Sequence, residues 1–521
     1  MPQTKYVTYK DFTKGDWGDI GEYRAPEGTY SGVNVVLYDN GMLGPRAGLH
    51  LNEPTSGSLG QGRVFNMSHI GAIGKPLMLV VDDNIFSTTQ NSINLGTVAS
   101  VASLNAVPTD TVVSTWYDPN GDVYITSPFD GVYYINWTTN AIANIQDSAV
   151  DVPGTQSVYL CRDRLYLIGD SVTGLGQRVY YSAAADFTNF DDSNYFEVGY
   201  YNTTRAAIES QNSLMFSTLE SVNTLGSGVG WYSLVGATPQ GDLRRVNTQI
   251  GAIGQTEVVN AEGGNVYFFT GWSTAETDNP YLVQTNGAKF DENTYHHLRL
   301  EGTNRFGYYN APDRSLMYVA RGGSTHLMRV NDAWSYVSFE VDVSGPLCTN
   351  SAGDAFLLAY GETGEDVKVY ECLSSPQKPG SADGQQNPGD DSNTPINAFF
   401  FLPAFQSDVK EMRVRRVIVD FKKWNTVHDD TNNEFTVNLR TWGQYNLPTG
   451  SADGINLETA EFSENQSLSA TDGTMDRYVM RCGNQGKAAG FQVYITGIKG
   501  CAFESITVEY DEDDSQTGRT L

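Results

Sequence analysis

The sequence is short of positive charge. Lys and Arg number 33 against 61 Asp and Glu, so the 521-residue chain carries a formal charge of −28. Such a chain is not expected to wrap duplex DNA, because phosphate binding needs clustered Lys and Arg. Charged residues of either sign make up only 18%, below the roughly 25% of ordinary globular chains. Long apolar runs are missing too. None approaches the ~18 residues of a membrane helix. The start, Met1 to Tyr6, lacks the apolar stretch of a secretory signal. Cysteine is sparse and never clustered: Cys161, Cys348, Cys372, Cys482 and Cys501. This argues against a disulfide framework and a zinc ribbon, and points to buried thiols in a reducing compartment. Without a leader, the sequons at Asn66, Asn136, Asn202 and Asn465 are read as chance.

Catalytic signatures are also missing. His50, His69, His296, His297, His326 and His428 show no metal-ligand spacing. The neighbouring His296 and His297 point to opposite faces if extended. Gly169-Asp170-Ser171 lies where a hairpin turn is expected and calls for Gly, Asp and Ser anyway. Asp118-Pro119-Asn120-Gly121-Asp122 starts like a calcium loop but lacks the distal Glu. No cofactor, metal or enzymatic activity is expected, although two acids brought together from different loops would escape a sequence reading.

What is present is β structure. Aromatics make up 12%, including 30 Tyr, and Gly and Pro are frequent at 53 and 19. Apolar runs rich in Val, Ile, Tyr and Phe recur between Gly, Asn and Asp, with no convincing helical period. The runs come in pairs. First members begin at Pro76, Asp122, Arg164, Ser213, Asn265, Ser315 and Ala355, with spacings of 46, 42, 49, 52, 50 and 40 residues. A period of 40–50 residues built on β-hairpins predicts a β-propeller, because blades packed around an axis bury each other's faces. The expectation is an all-β chain with about seven blades, six to eight being compatible. A strand at Asn34–Tyr38 is the candidate for closing the ring.

The domain plan follows. Residues 1–50 are read as a segment closing the propeller, and 51–373 as the propeller. Residues 374–395, polar and rich in Gly and Pro, are a linker or long loop. Residues 396–510 hold six strand-like runs and predict an antiparallel β-sandwich. Residues 511–521 are an acidic tail. Six basic residues fall within 14 positions: Lys410, Arg413, Arg415, Arg416, Lys422 and Lys423. They are either a docking edge for an acidic surface, such as another copy of the chain, or an edge strand protected by charge.

Scattered motifs resemble the phage tail nozzle, or tail tubular protein B, family. They are Asp11-Phe12-Thr13-Lys14-Gly15; the set Asn34, Asp39, Gly41, Leu43, Arg46 and Gly48; and Arg164-Leu165-Tyr166 with Tyr180-Tyr181-Ser182 and Asp186-Phe187. Two further stretches are similar: Gly251-Ala252-Ile253-Gly254 leading into Asn265–Phe269, and Arg477…Arg481-x-Gly483…Gly490-Phe491-Gln492-Val493. Lys14 departs from the family, where a second Gly is common. The resemblance implies a structural virion protein, not an enzyme. It would form a homo-oligomeric ring, usually a hexamer, below the portal adaptor ring, with tail fibres or tail-tip and needle proteins as further partners. Such a ring would be assembled in the host bacterial cytoplasm and located in the virion tail. It would retain packaged DNA and let it pass during ejection; the charge of −28 adds the expectation that the channel is acidic, which would keep DNA from sticking. Two alternatives keep the same fold: a receptor-binding or glycan-processing propeller of the tail, and a tail-tip hub of a long-tailed phage.

Overall fold

The structure is a computed structural model. It describes the chain apart from residues 1–2, 17–27, 39–40, 71–73, 91–93, 105–113, 118–121, 128–130, 146–154, 171–174, 200–201, 211–212, 221–229, 236–241, 248–249, 271–279, 292–293, 296, 340, 374–389, 392–393, 397, 407–410, 424–433, 443–461, 468–474, 483–487, 499–500 and 514–521. Two compact units result. One comprises residues 51–324 and 342–372; the other comprises 1–50, 325–341 and 373–521. Among the described residues no helix is long and apolar enough to cross a membrane.

The unit of residues 51–324 and 342–372 is a β-propeller. Antiparallel sheets follow one another in chain order. The third blade is typical, with Thr155–Cys161, Arg164–Asp170, Arg178–Ala183 and Asp186–Glu197 side by side. The innermost strands are Val64–His69, Ser114–Tyr117, Thr155–Cys161, Asn202–Ser210, Val259–Asn260, Arg305–Asn310 and Leu347–Thr349. Each touches the next, and Leu347–Thr349 returns to Val64–His69. The ring is therefore closed, with seven blades among the described residues.

The apolar runs seen in the sequence are the second strands of these sheets, and they are buried on both faces. In Leu77–Val81, the side chains of Leu77, Leu79 and Val81 pack with Leu357, Ala359 and Val369 of the last blade. The intervening Met78 and Val80 pack with Val123, Ile125 and Ile135 of the second. The third blade repeats this: Leu165 and Leu167 face Tyr124 and Val132 of the second blade, while Tyr166 and Ile168 face the fourth. Alternation along a strand thus serves two neighbours, which explains why the runs lack polar residues.

The closing strand differs from expectation. Val35–Leu37 pairs with Leu43–Pro45 in the other unit, where all three side chains are buried. The place beside Lys368–Leu373 is taken by Leu49–Leu51, and the Asn52 N–H continues the ladder to the Val369 carbonyl at 2.8 Å. The half-exposed Leu49–Leu51 suits a sheet edge; the fully apolar Val35–Leu37 suits an interior.

In the other unit, one sheet has the order Val35–Leu37, Leu43–Pro45, Cys501–Asp513, Glu411–Lys423, Met475–Arg481. A second includes Thr29–Val33, Phe399–Phe401, Gly490–Thr496, Glu434–Trp442 and Phe462–Ser467. Both contribute to one core: Val417, Val419, Ile506 and Val508 from the first, Phe435, Val437, Val493 and Ile495 from the second. The strands expected in 396–510 thus share their core with the chain's first 50 residues. Gln3–Lys10 runs antiparallel to Cys501–Asp513, from Gln3 opposite Glu512 to Lys10 opposite Ser505. Residues 1–50 therefore cluster here. The acidic tail also begins later than expected. Asp511 and Glu512 lie in the ladder because cations meet them: Arg415 bonds Asp511, and Lys5 lies 2.8 Å from Glu512. The expected linker falls mostly outside the described residues.

Phe268 is fully buried in the fifth blade, 5.0 Å from the Trp231 ring of the fourth. Phe268→Ala should destabilise the protein by about 3–5 kcal/mol, read as a lower urea midpoint. A loss under about 1 kcal/mol would mean that these two blades are not packed as described.

Candidate functional site

The residues carrying the N-terminal motifs are structural. Phe12 is buried against Tyr30 and Phe400, with ring centroids 6.4 Å away in both cases. Asp11 is exposed at a positive φ of 64°. Gly15 has φ 75°, and a Cβ there would lie 2.8 Å from the Trp334 nitrogen, so only glycine fits. Asn34 and Arg46 are fully buried together. The Arg46 guanidinium donates to Asn34 Oδ1 at 2.8 Å, to the Ala47 carbonyl at 2.8 Å and to the Ser338 carbonyl at 2.7 Å. Asn34 Oδ1 also accepts the Ser338 N–H at 2.9 Å. The Arg46 head lies 4.7 Å from the centre of the Phe339 ring, on which His326 also stacks at 5.0 Å. Burial and the Arg46 charge push the His326 pKa down to about 3. The hairpin joining the two motif halves is present: Tyr38 N–H bonds the Met42 carbonyl at 2.8 Å, and Gly41 takes φ 79°. Gly48 is buried; Asp39 lies outside the described residues.

The basic run is not on an edge strand. Glu411–Lys423 is paired on both sides, with Cys501–Asp513 and with Met475–Arg481. The edge-protection reading is thereby corrected. Arg415 pairs with Asp511 and Arg416 with Glu509 at 2.5 Å. Arg477 holds Asp420 at 2.6 Å, which keeps that carboxyl below its ordinary range. Arg413 and Arg481 are exposed, and Arg481 sits directly opposite Arg416 across the ladder. Lys422 is half-buried, Lys423 ends the strand and Lys410 lies outside the described residues.

The seven inner strands of the propeller surround a cavity of about 430 Å³. One part of its wall is aromatic: Trp116, Tyr159, Phe306, Tyr308 and Tyr309. Trp116 and Tyr159 form a corner, with ring centroids 4.5 Å apart at 53°. Another part is polar and uncharged. Ser68 Oγ and Thr115 Oγ1 both bond Asn66 Oδ1, at 2.7 and 3.0 Å. Gln255 is locked, its Oε1 accepting from Ser157 at 2.9 Å and from the Ala207 N–H at 2.8 Å. Tyr159 OH accepts the Glu209 N–H at 2.9 Å. His69 Nε2 is buried without a partner among the described residues, and desolvation lowers the pKa of that imidazole. No Asp, Glu, Lys or Arg is among the described lining residues.

Two of these cavity residues are named in the sequence, Asn66 as a chance sequon and His69 as a histidine without metal-ligand spacing, and none of them is read there as a binding residue. The available signal was alternation: in Val64–His69 the buried Phe65 and Met67 flank the half-buried Asn66 and Ser68. Such a strand is less conspicuous than an unbroken apolar run.

Two buried carboxylates lie elsewhere in the propeller. Glu257 neighbours the wall and is 3.7 Å from Arg305; burial raises its pKa to about 8. Glu371 accepts from Asn350 Nδ2 at 2.8 Å, and the same amide donates to Asp354 Oδ1 at 2.7 Å. Burial raises the Glu371 pKa to about 7, with Asp354 adding to the effect. Among the described residues no group of three or more His, Cys, Asp or Glu could hold a metal.

No protein-family model matches the chain, and no curated protein matches it in sequence. Solved structures do resemble it in fold. An oligogalacturonate lyase from Vibrio parahaemolyticus is 7% identical with a TM-score of 0.39, covering 66% of this chain and 97% of that one. YCF48 bound to D1 peptide is 10% identical with a TM-score of 0.41, covering 65% and 99%. An exo-beta-1,3-galactanase from Phanerochaete chrysosporium is 9% identical with a TM-score of 0.31, covering 77% and 96%.

Because the folded-state pKa of Glu371 is raised, its contribution to stability is fully present below the unfolded value of about 4.5 and is lost as pH rises through about 7. Glu371→Gln should therefore be more stable than the parent at pH 8, by on the order of 1–2 kcal/mol. It should also flatten the fall in stability between pH 4.5 and pH 7, measured by urea unfolding across pH. An unchanged slope would show that Glu371 titrates normally.

Proposed function

We propose that the chain is a structural subunit of a phage tail. In this reading it forms a nozzle ring below the portal adaptor, retains packaged DNA and lets it pass during ejection. The observation that carries the reading is the interlocking of the motif residues. Phe12, Gly15, Asn34, Arg46 and Gly48, quoted for their resemblance to the nozzle family, are buried positions, and the Asn34–Arg46 bond joins two of them. The motif is therefore a folding framework, as a shared architecture requires.

Two further features agree with a mechanical role. A propeller is a rigid wedge suited to repetition about an axis, because both faces of each blade are packed. The charge distribution suits assembly. The chain carries −28, yet Arg413, Arg416 and Arg481 stand on one sheet, Arg416 opposite Arg481 and beside Glu509, and Arg413 opposite Asp511. Like charges opposed across a ladder cost stability, and an acidic surface of a neighbour would relieve that cost. A negatively charged conduit formed between subunits would discourage phosphate from adhering.

A second reading, a receptor-binding propeller of the tail, is favoured by the aromatic and polar axial cavity. Its glycan-cleaving version would need two converging carboxylates, and the described wall has none.

Negative-stain microscopy of the purified chain, alone and with the portal adaptor, tests the main reading. A six-fold ring in either sample is the expected result. Arg413→Glu combined with Arg481→Glu should lower ring occupancy about tenfold, and raising salt should do the same. Particles that stay monomeric in both samples would sink the nozzle assignment.

A further inference from the structure

We propose that the axial cavity of the propeller is a binding site for an uncharged saccharide unit, which it holds without cleaving. The inference rests on the cavity itself and is independent of the chain's place in a ring. At about 430 Å³ the space falls within the ~300–1,000 Å³ of small-molecule sites. Its wall combines two chemistries that few ligand classes satisfy together.

The aromatic corner of Trp116 and Tyr159 offers ring surface to an apolar face. The polar part offers groups that are uncharged. Asn66 Oδ1 already accepts from both Ser68 and Thr115, so those hydroxyl oxygens retain lone pairs for a ligand's donors. A purely apolar ligand would leave the free lone pairs of Ser68 and Thr115 without donors, which is costly in an enclosed site. A carboxylate, phosphate or ammonium ligand would find no counter-charge among the described lining residues and would lose its hydration uncompensated. A pyranose ring meets both demands, having an apolar C–H face and a rim of neutral hydroxyls. Hydrolysis is not part of the proposal, because the described wall has no carboxylate pair.

The test is titration of the full-length protein with lactose, maltose and cellobiose to ~10 mM, followed by calorimetry and tryptophan fluorescence. Digalacturonate serves as the charged probe. At least one neutral disaccharide should saturate, and digalacturonate should bind at least about tenfold more weakly. Trp116→Leu should weaken binding about tenfold or more with the melting curve retained. If Trp116→Leu fails to fold, Asn260→Ala at the exposed edge of the wall serves instead and should weaken binding severalfold. Failure of all three disaccharides to saturate overturns the proposal. So does equal binding of digalacturonate, or binding unaffected by the variant that folds. Ring formation is scored separately by microscopy, so a failed nozzle assignment and a failed saccharide site give different results.

Discussion

The propeller depends on one constraint: a strand with two apolar faces must be covered on both. Leu77–Val81 shows how this propagates. Its odd-numbered side chains need the last blade and its even-numbered ones the second. Leu165–Ile168 passes the same demand from the second blade to the fourth. A linear stack would leave two uncovered faces at its ends, whereas a closed ring leaves none. Closure then draws the inner strands around an axis, and the cavity there follows from satisfying hydrophobic burial farther out.

The other unit meets the same requirement differently. Two sheets press their apolar faces together, with Phe421, Phe435 and Phe503 at the contact; Phe435 lies 5.1 Å from each of the other two rings. The sheets draw strands from distant parts of the chain, because what matters for burial is face complementarity and not order in sequence. Arg46 illustrates the polar counterpart. A buried guanidinium needs acceptors for its donors, and Asn34, Ala47 and Ser338 provide three. The conformation of Asn34, with φ 64°, is held in place by the bonds its side chain makes, which is how a strained backbone persists.

Charge is distributed with equal economy. Glu509, Asp511 and Glu512 belong to a long strand because Arg416, Arg415 and Lys5 stand beside them. The same ladder places Arg481 against Arg416, where the compensation comes from one side only. The interior of the propeller axis goes the other way, its described wall carrying neither charge sign. A chain of −28 thus contains a cluster of ion-paired arginines and a cavity whose described wall is uncharged, both invisible in the net figure.

The all-β class, the propeller repeat and the positions of the second and third strands of most blades are legible in the residues alone. Double burial removes polar residues from those strands and makes them conspicuous. The sequence also marked Asn34, Arg46 and Gly15 as special without saying why. Which strand closes the ring, that residues 3–10 pair with 505–512, and that the basic strand is internal become visible only in the folded chain. These are contacts between segments far apart in the chain, on which local periodicity carries no information. The cavity was beyond reach for a related reason. Asn66, Thr115, Tyr159 and Gln255 stand on different blades, and only the closing of the ring makes them neighbours.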